Sequence, residues 1–414
     1  MALPLEDQTA DQAHPRCNPL RAMPDQIYVV RGQGSHVWDV RGKEFIDFIS
    51  ARGASVLGYA HPAVTEAVTR QLAQGVLVSL AYLHCVKLFE KLTRLVPCAE
   101  MVEIRKTGSE ATAAAVRLAR AYTQRDLVIR CGYHGWHDWC ANGFGVIHPS
   151  NRCQLRQASN NVPGVPQAVS ALTLNLHDPN DLDSLEEMLR HNAGKVACLI
   201  IDPSEIWPPI GETLATIRDL TQQQGVILIF DEVKTSLRVA LGGVQERFGV
   251  VPDMATLSKG LGNGFPITAV VGRKEIMKMS EQSPLWSTFS VEAVSVAAAV
   301  ATLNVLEKTN GVAQLWAMGQ RLIDGINSVI TQLHLQEEVE AQPWNVAPMP
   351  FVWFKGSCVE RREAMRERFY RELTQRGILM LSDHMNFINL GHSVEDIDVT
   401  IAACESALRS AKDA

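Results

Sequence analysis

Val196–Glu232 reads VACLIIDPSEIWPPIGETLATIRDLTQQQGVILIFDE, and its two ends decide the fold. Val196–Ile201 and Val226–Phe230 are apolar at every position, as strands covered on both faces are. Leu214–Gln224 between them has the composition of a crossover helix, so the stretch predicts strand, helix, strand, with the two strands parallel. The same rhythm extends outward. Glu110–Tyr122 (EATAAAVRLARAY) is rich in helix formers, Asp126–Arg130 (DLVIR) is strand-like, and Thr268–Val271 continues the series.

The two ends of the chain follow another pattern. Met1–Asp25 is polar and Pro-containing, an arm. From Gln26 to Phe48 come IYVV, a Gly-rich turn at Gly32–Gly34, HVWDV, a turn at Arg41–Lys43, and EFIDF, an antiparallel meander. Helical periodicity marks Ala63–Gln74 and Val86–Leu95. Beyond residue 311 the reading is a helix over Val312–Leu333, a strand at Phe351–Phe354 and a helix at Arg361–Arg376. Short strands at Ile378–Leu381 and Phe387–Leu390 and a last helix from Glu395 complete it. The expected architecture is α/β: a large domain over 63–310 with a mostly parallel central sheet, and a small α+β part built from 1–62 and 311–414.

Composition removes several function classes. The 414 residues hold 39 Lys+Arg against 45 Asp+Glu, and the net charge of −6 disfavours a nucleic-acid binder, which carries a basic face. No apolar run approaches the roughly 18 residues of a membrane span. The first twelve residues hold three acids and no base, unlike a signal peptide. Nine cysteines without a C-x-x-C pair read as free thiols of a reducing cytoplasm rather than as a disulfide frame or zinc site.

Parallel α/β sheets hold ligands at the carboxyl ends of their strands. Asp231 directly follows a buried run, which places a carboxylate at a strand tip; alone it also reads as a helix cap. Twenty-eight residues on, Lys259 enters the glycine-rich loop LSKGLGNGF; alone it reads as a surface lysine. Together the pair suits pyridoxal 5'-phosphate: the lysine to form the Schiff base, the aspartate to keep the pyridine nitrogen protonated. Thr107-Gly108-Ser109-Glu110 opens the Ala-rich helix and offers a phosphate site or an ordinary N-cap. Tyr133 and His134, in YHGWHD after the DLVIR strand, present rings that stack on a flat cofactor or belong to the core. His134 and His137 form H-x-x-H with no third metal ligand suitably spaced. The glycines at 260, 262 and 264 make no dinucleotide fingerprint.

The order TGSE (107–110), YHGWHD (133–138), FDEV (230–233), LSKGLGNGFP (257–266) and STFS (287–290) resembles the class III aminotransferases of fold type I. The likeness runs from WDVRGKEFIDF (38–48) and GYAHPAV (58–64) to HSVEDID (392–398), and residues 230–260 are especially similar to glutamate-1-semialdehyde aminomutases. It implies Lys259 as the Schiff-base lysine, Asp231 as the pyridinium partner, Val233 and Tyr133 on the two ring faces, and Gly108 and Ser109 on the phosphate. It also implies a homodimer in which Thr288 reaches the neighbouring subunit's phosphate.

Departures from the family pattern bear on the substrate. Asp202-Pro203 replaces the usual Glu-Pro, Ser236 replaces a glycine, and Val291-Glu292 follows STFS where relatives carry glycine. SDHMNFINLGH (382–392) is similar to relatives acting on amino sugars and secondary metabolites. The expected reaction is transfer of an amino group from an amine, an amino sugar or natural-product intermediate of the aminoglycoside type, to a carbonyl acceptor. Asp202, Arg52, Trp136, Glu205 and Glu292 are the candidate substrate residues, with Arg52 or Arg238 for any carboxylate. An aminomutase or epimerase is the alternative, and a non-catalytic binding subunit a third reading.

Overall fold

The computed structural model describes residues 27–80, 82–140 and 162–413; the arm expected over Met1–Asp25 lies outside them. The meander is present as β1 (Val29–Gln33), β2 (His36–Asp39) and β3 (Glu44–Asp47). Its first turn is tighter than the glycines suggest, because β1 runs through Gly32 and only Gly34-Ser35 connects it to β2.

The central sheet has seven strands: β4 (Met101–Arg105), β5 (Leu127–Cys131), β6 (Thr173–Asn175), β7 (Val196–Ile201), β8 (Ile227–Asp231), β9 (Met254–Leu257) and β10 (Thr268–Gly272), in the order β4-β10-β9-β8-β7-β5-β6. Every residue of β7 and β8 is buried, as their uniform apolarity requires. Five neighbouring strands, β9 to β6, run parallel. β10 runs against both its neighbours, with Ala269 opposite Leu257 of β9 and Ile104 of β4.

Helices α1 (Pro62–Gln74), α2 (Leu83–Leu95), α3 (Gly108–Thr123), α4 (Leu182–His191), α5 (Ile210–Gln223) and α6 (Ala293–Thr309) accompany this sheet. α3 packs on β7, β9 and β10, burying Ala111, Ala114, Ala115 and Ala119, whose small side chains allow a close approach. α6 packs on α1 and α2.

The C-terminal quarter brings α7 (Gly311–Gln332), the antiparallel pair β11 (Val339–Pro343) and β12 (Pro350–Phe354), α8 (Val359–Gln375), β13 (Ile378–Leu379) and α9 (Val394–Lys412). β13 joins the meander sheet parallel to β3, so strands from both chain ends share one sheet. Ser393 and Asp396 start α9 with a reciprocal capping box, which accounts for the HSVEDID motif. Phe387–Leu390 is not a strand. Its amides bond to three separate partners, Phe48 O, Pro348 O and Val56 O, so no ladder forms.

Candidate active site

Four strand ends converge at the carboxyl edge of the parallel sheet. β5 leads into Tyr133–Gly135, β7 into Asp202, β8 ends in Asp231, and β9 leads into Ser258-Lys259. With the start of α3 they line a cavity of about 200 Å³. Of the residues expected at the cofactor, Gly108, Ser109, Tyr133, His134, Asp231, Val233 and Lys259 all line it.

Asp231 is held from three directions. Its Oδ2 lies 2.7 Å from His134 Nδ1, and its Oδ1 accepts Thr256 Oγ1–H at 3.0 Å and the Val233 amide at 3.2 Å. The other His134 nitrogen meets Cys131 O at 3.0 Å. Both ring nitrogens are therefore engaged, and His134 orients the carboxylate rather than serving a metal. Lys259 begins a short turn with φ +41. Burial holds its amine down at about 7; the neighbouring Lys234 ammonium acts in the same direction, and Asp202 and Asp231 oppose. Its Nζ stands 5.8 Å from the centre of the Phe387 ring.

At the other wall, α3 begins with a capping box between Thr107 and Glu110. The Thr107 hydroxyl accepts the Glu110 amide and donates to the Glu110 carboxylate, so Thr107 does not line the cavity and the N-cap reading is the right one for it. Gly108 and Ser109, one position further in, do line it, at the positive end of the helix. Gly135 (φ +102) lets the Tyr133–Gly135 loop lie over them, since a Cβ there would fall 2.2 Å from Ser109 Oγ.

The expected substrate residues part company. Glu205 and Asp202 are buried, and both bind the ammonium of Lys234, a cavity residue that the sequence reading passed over. Glu292 is drawn off to cap α6 and to pair with Lys106 Nζ at 3.0 Å. Trp136 is 74% exposed and Thr288 is exposed; neither lines the cavity of its own chain. Arg238 is fully buried and donates to Ile388 O at 2.7 Å and Gly53 O at 2.8 Å, which removes it as a carboxylate ligand.

Arg52 differs. It is exposed and belongs to four successive residues, Ser50–Gly53, with φ of +48, +51, +55 and +85. Such a left-handed turn costs each L-residue about 1–2 kcal/mol, and its surroundings hold it in place. Asp47 accepts the Ile49 and Ser50 amides and the Tyr59 hydroxyl, Tyr59 accepts the Ala51 amide, Asn389 bonds Ser50, and Arg238 holds Gly53. Such strain persists where surrounding structure over-determines it, and it clusters at functional sites. The Arg52 charge reaches both Tyr133 and His384. His384 also escaped the sequence reading. Burial, with the Lys234, Lys259 and Arg52 charges, pushes its imidazole down to about 3, and its Nδ1–H donates to Met385 O at 2.9 Å.

The donor set fits pyridoxal phosphate: a desolvated amine, a fixed carboxylate, a glycine-started helix for a phosphate, and Val233 and Tyr133 in the cavity wall for a ring. The family model for class-III aminotransferases matches residues 20–398. A 3-aminobutyryl-CoA aminotransferase of Cloacimonas acidaminovorans is 33% identical over 93% of this chain and 90% of its own length. A glutamate-1-semialdehyde 2,1-aminomutase of Methanocaldococcus jannaschii is 33% identical over 92% of this chain and 91% of its own. Among solved structures, an omega-transaminase from Sphaerobacter thermophilus superposes with a TM-score of 0.83 at 28% identity, covering 94% and 92% of the two chains. Neighbours of this fold have been solved with the cofactor or its amine form bound. The chain thus belongs to the class III aminotransferases, the pyridoxal-phosphate transferases of fold type I, and pyridoxal phosphate is its cofactor.

Proposed function

We propose that this enzyme moves an amino group between a keto acid and an acid-derived amine whose nitrogen is not on the carbon next to the carboxyl. The observation that carries the reading is Arg52, an exposed residue whose backbone is held on a strained turn and whose charge acts on Tyr133 of the cavity wall and on His384. A guanidinium binds a carboxylate through two parallel hydrogen bonds. The relative named for 3-aminobutyryl-CoA, a thioester with its amino group on the third carbon, supports the position of the nitrogen only. The amino-sugar expectation drew on Asp202, Glu205 and Glu292, whose charges are already met by Lys234 and Lys106.

When bound, pyridoxal phosphate supplies the aldehyde that takes up nitrogen and a ring that delocalises the electron pair left by a departing C–H proton. In this reading Lys259 would hold the cofactor at rest, and once freed by substrate its Nζ would remove the proton from the substrate carbon and return one. Asp231, oriented by His134 and Thr256, keeps a proton on the ring nitrogen. Gly108 and Ser109 would take the phosphate at the start of α3, and Val233 and Tyr133 would flank the ring.

The reading extends to a homodimer. Leu80, Leu83, Trp286 and Phe289 are exposed at 82%, 69%, 88% and 60%, and the bond from Ala293 N to Val76 O brings their two segments together. An apolar surface of this kind marks a protein interface, and Thr288 lies within it, where a second copy would bring it to the neighbouring site.

The test mixes holoenzyme with a panel of amines and follows the cofactor's visible absorption. β- and ω-amino acids should bleach it at least tenfold faster in wild type than in Arg52→Met, with amines lacking a carboxylate unaffected by the substitution. Amino sugars reacting faster than amino acids would overturn the substrate assignment. The aminomutase relatives favour a second reading, isomerisation. Sustained turnover in deuterated water without a keto acid would establish it in place of transamination.

A further inference from the structure

The lysine three places beyond Asp231 has no part in the chemistry described so far. Lys234 is 7% exposed, yet it lines the same cavity as Lys259. Its Nζ donates to Glu205 Oε1 at 3.0 Å and Ser204 Oγ at 3.3 Å and forms an ion pair with Asp202 Oδ2 at 2.6 Å. The anchor is itself fixed. Asp202 Oδ1 takes the Ser204 amide and hydroxyl, and Asn345 holds Pro203 O at 2.8 Å. Gly132 makes room for it, since a Cβ there would stand 2.5 Å from Asp202 Cβ.

A buried ionic triad is a poor source of stability, because apolar residues of similar volume serve as well or better. What it does supply is an ammonium whose position cannot change, held in the wall of the cavity that Lys259 lines. We propose that Lys234 is a positioning residue for Lys259: a fixed cation, anchored by Asp202 and Glu205, that disfavours a second positive charge on the Lys259 amine. The amine is thereby kept neutral, the form that attacks an aldehyde and accepts a proton. This rests on the reading of Lys259 as the cofactor-bearing lysine.

The charged and titratable groups facing the two lysines are Asp202, Glu205, Asp231 with its partner His134, Arg238, Tyr133 and His384. His384 is neutral across the physiological range, and Asp202 and Asp231 favour the charged amine against which Lys234 acts. Lys234 is therefore the cavity cation that acts on Lys259 most strongly after burial itself.

The test uses full-length protein freed of cofactor. Lysines are methylated reductively with formaldehyde and a borane at pH 5.5 to 10, and the Lys259 peptide is quantified by mass spectrometry; only neutral amines react. Wild type should show a midpoint near 7. Lys234→Met should move it up by about one pH unit, a tenfold lower neutral fraction on the acid side, and Lys234→Arg should restore it. Should Lys234→Met not fold, Lys234→Met/Glu205→Gln leaves Asp202 as the triad's charge and should move the midpoint the same way. An unchanged midpoint in the charge-removing variant overturns the proposal. Borohydride reduction of the holoenzyme tests the underlying reading separately: cofactor fixed to Lys259 with no midpoint shift refutes only the role of Lys234.

Discussion

Replacing Lys259 by methionine should stabilise the cofactor-free protein. The native environment lowers this amine from 10.5 to about 7, burial being the main cause. Its folded value lies below its unfolded one, so between those limits the unfolded chain binds more protons and stability rises with pH. The destabilisation is fully present below pH 7 and fades as pH approaches 10.5. At about 1.36 kcal/mol per tenfold, the group costs the native state up to about 4 kcal/mol at pH 7 and about 1.5 kcal/mol at pH 9.5. Methionine keeps much of the packing and removes the titration. Urea unfolding of both cofactor-free proteins at the two pH values should show the variant ahead by several kcal/mol at pH 7, with the gap closing toward pH 9.5. A gap independent of pH, or a less stable variant, would refute the reasoning.

Other consequences follow from the same site. Asp231→Ala should lower the single-turnover rate at least about 100-fold, the usual loss when one preorganised electrostatic partner is removed; a loss under tenfold contradicts its role. Arg238→Leu strips two charge-assisted bonds from Gly53 O and Ile388 O, at about 1.5–3 kcal/mol each. Urea unfolding should show a loss of about 3–6 kcal/mol, and a loss below 1 kcal/mol would contradict the clamp. Gly135→Ala introduces a Cβ against Ser109 Oγ at φ +102 and should weaken cofactor binding at least tenfold, read by absorbance titration.

How much of this was legible in the sequence depends on what each residue had to satisfy. β7 and β8 read easily because both faces are covered, so every position is apolar. β4 (MVEIR) did not, because an edge strand is half-exposed and carries charge. The reversed direction of β10 left no mark, since burial fixes polarity and not direction. α6 was missed for the opposite reason: buried along most of its length, it shows no amphipathic period.

The site followed the same logic. Asp231 and Lys259 announce themselves by position against a strand end and a glycine loop. Lys234 reads as a surface lysine until Asp202 and Glu205, about thirty residues earlier, fold against it. Arg52 and Arg238 look equivalent in sequence. Only the left-handed turn separates them, with one guanidinium held inside as a clamp and the other displayed.

The central claim is that Lys259 carries the cofactor. Reduction of the holoenzyme with borohydride, followed by peptide mapping, should place the cofactor on the peptide containing Lys259, with no adduct in Lys259→Ala. An adduct on Lys234, the other lysine of the cavity, or no stable adduct at all, would contradict the account.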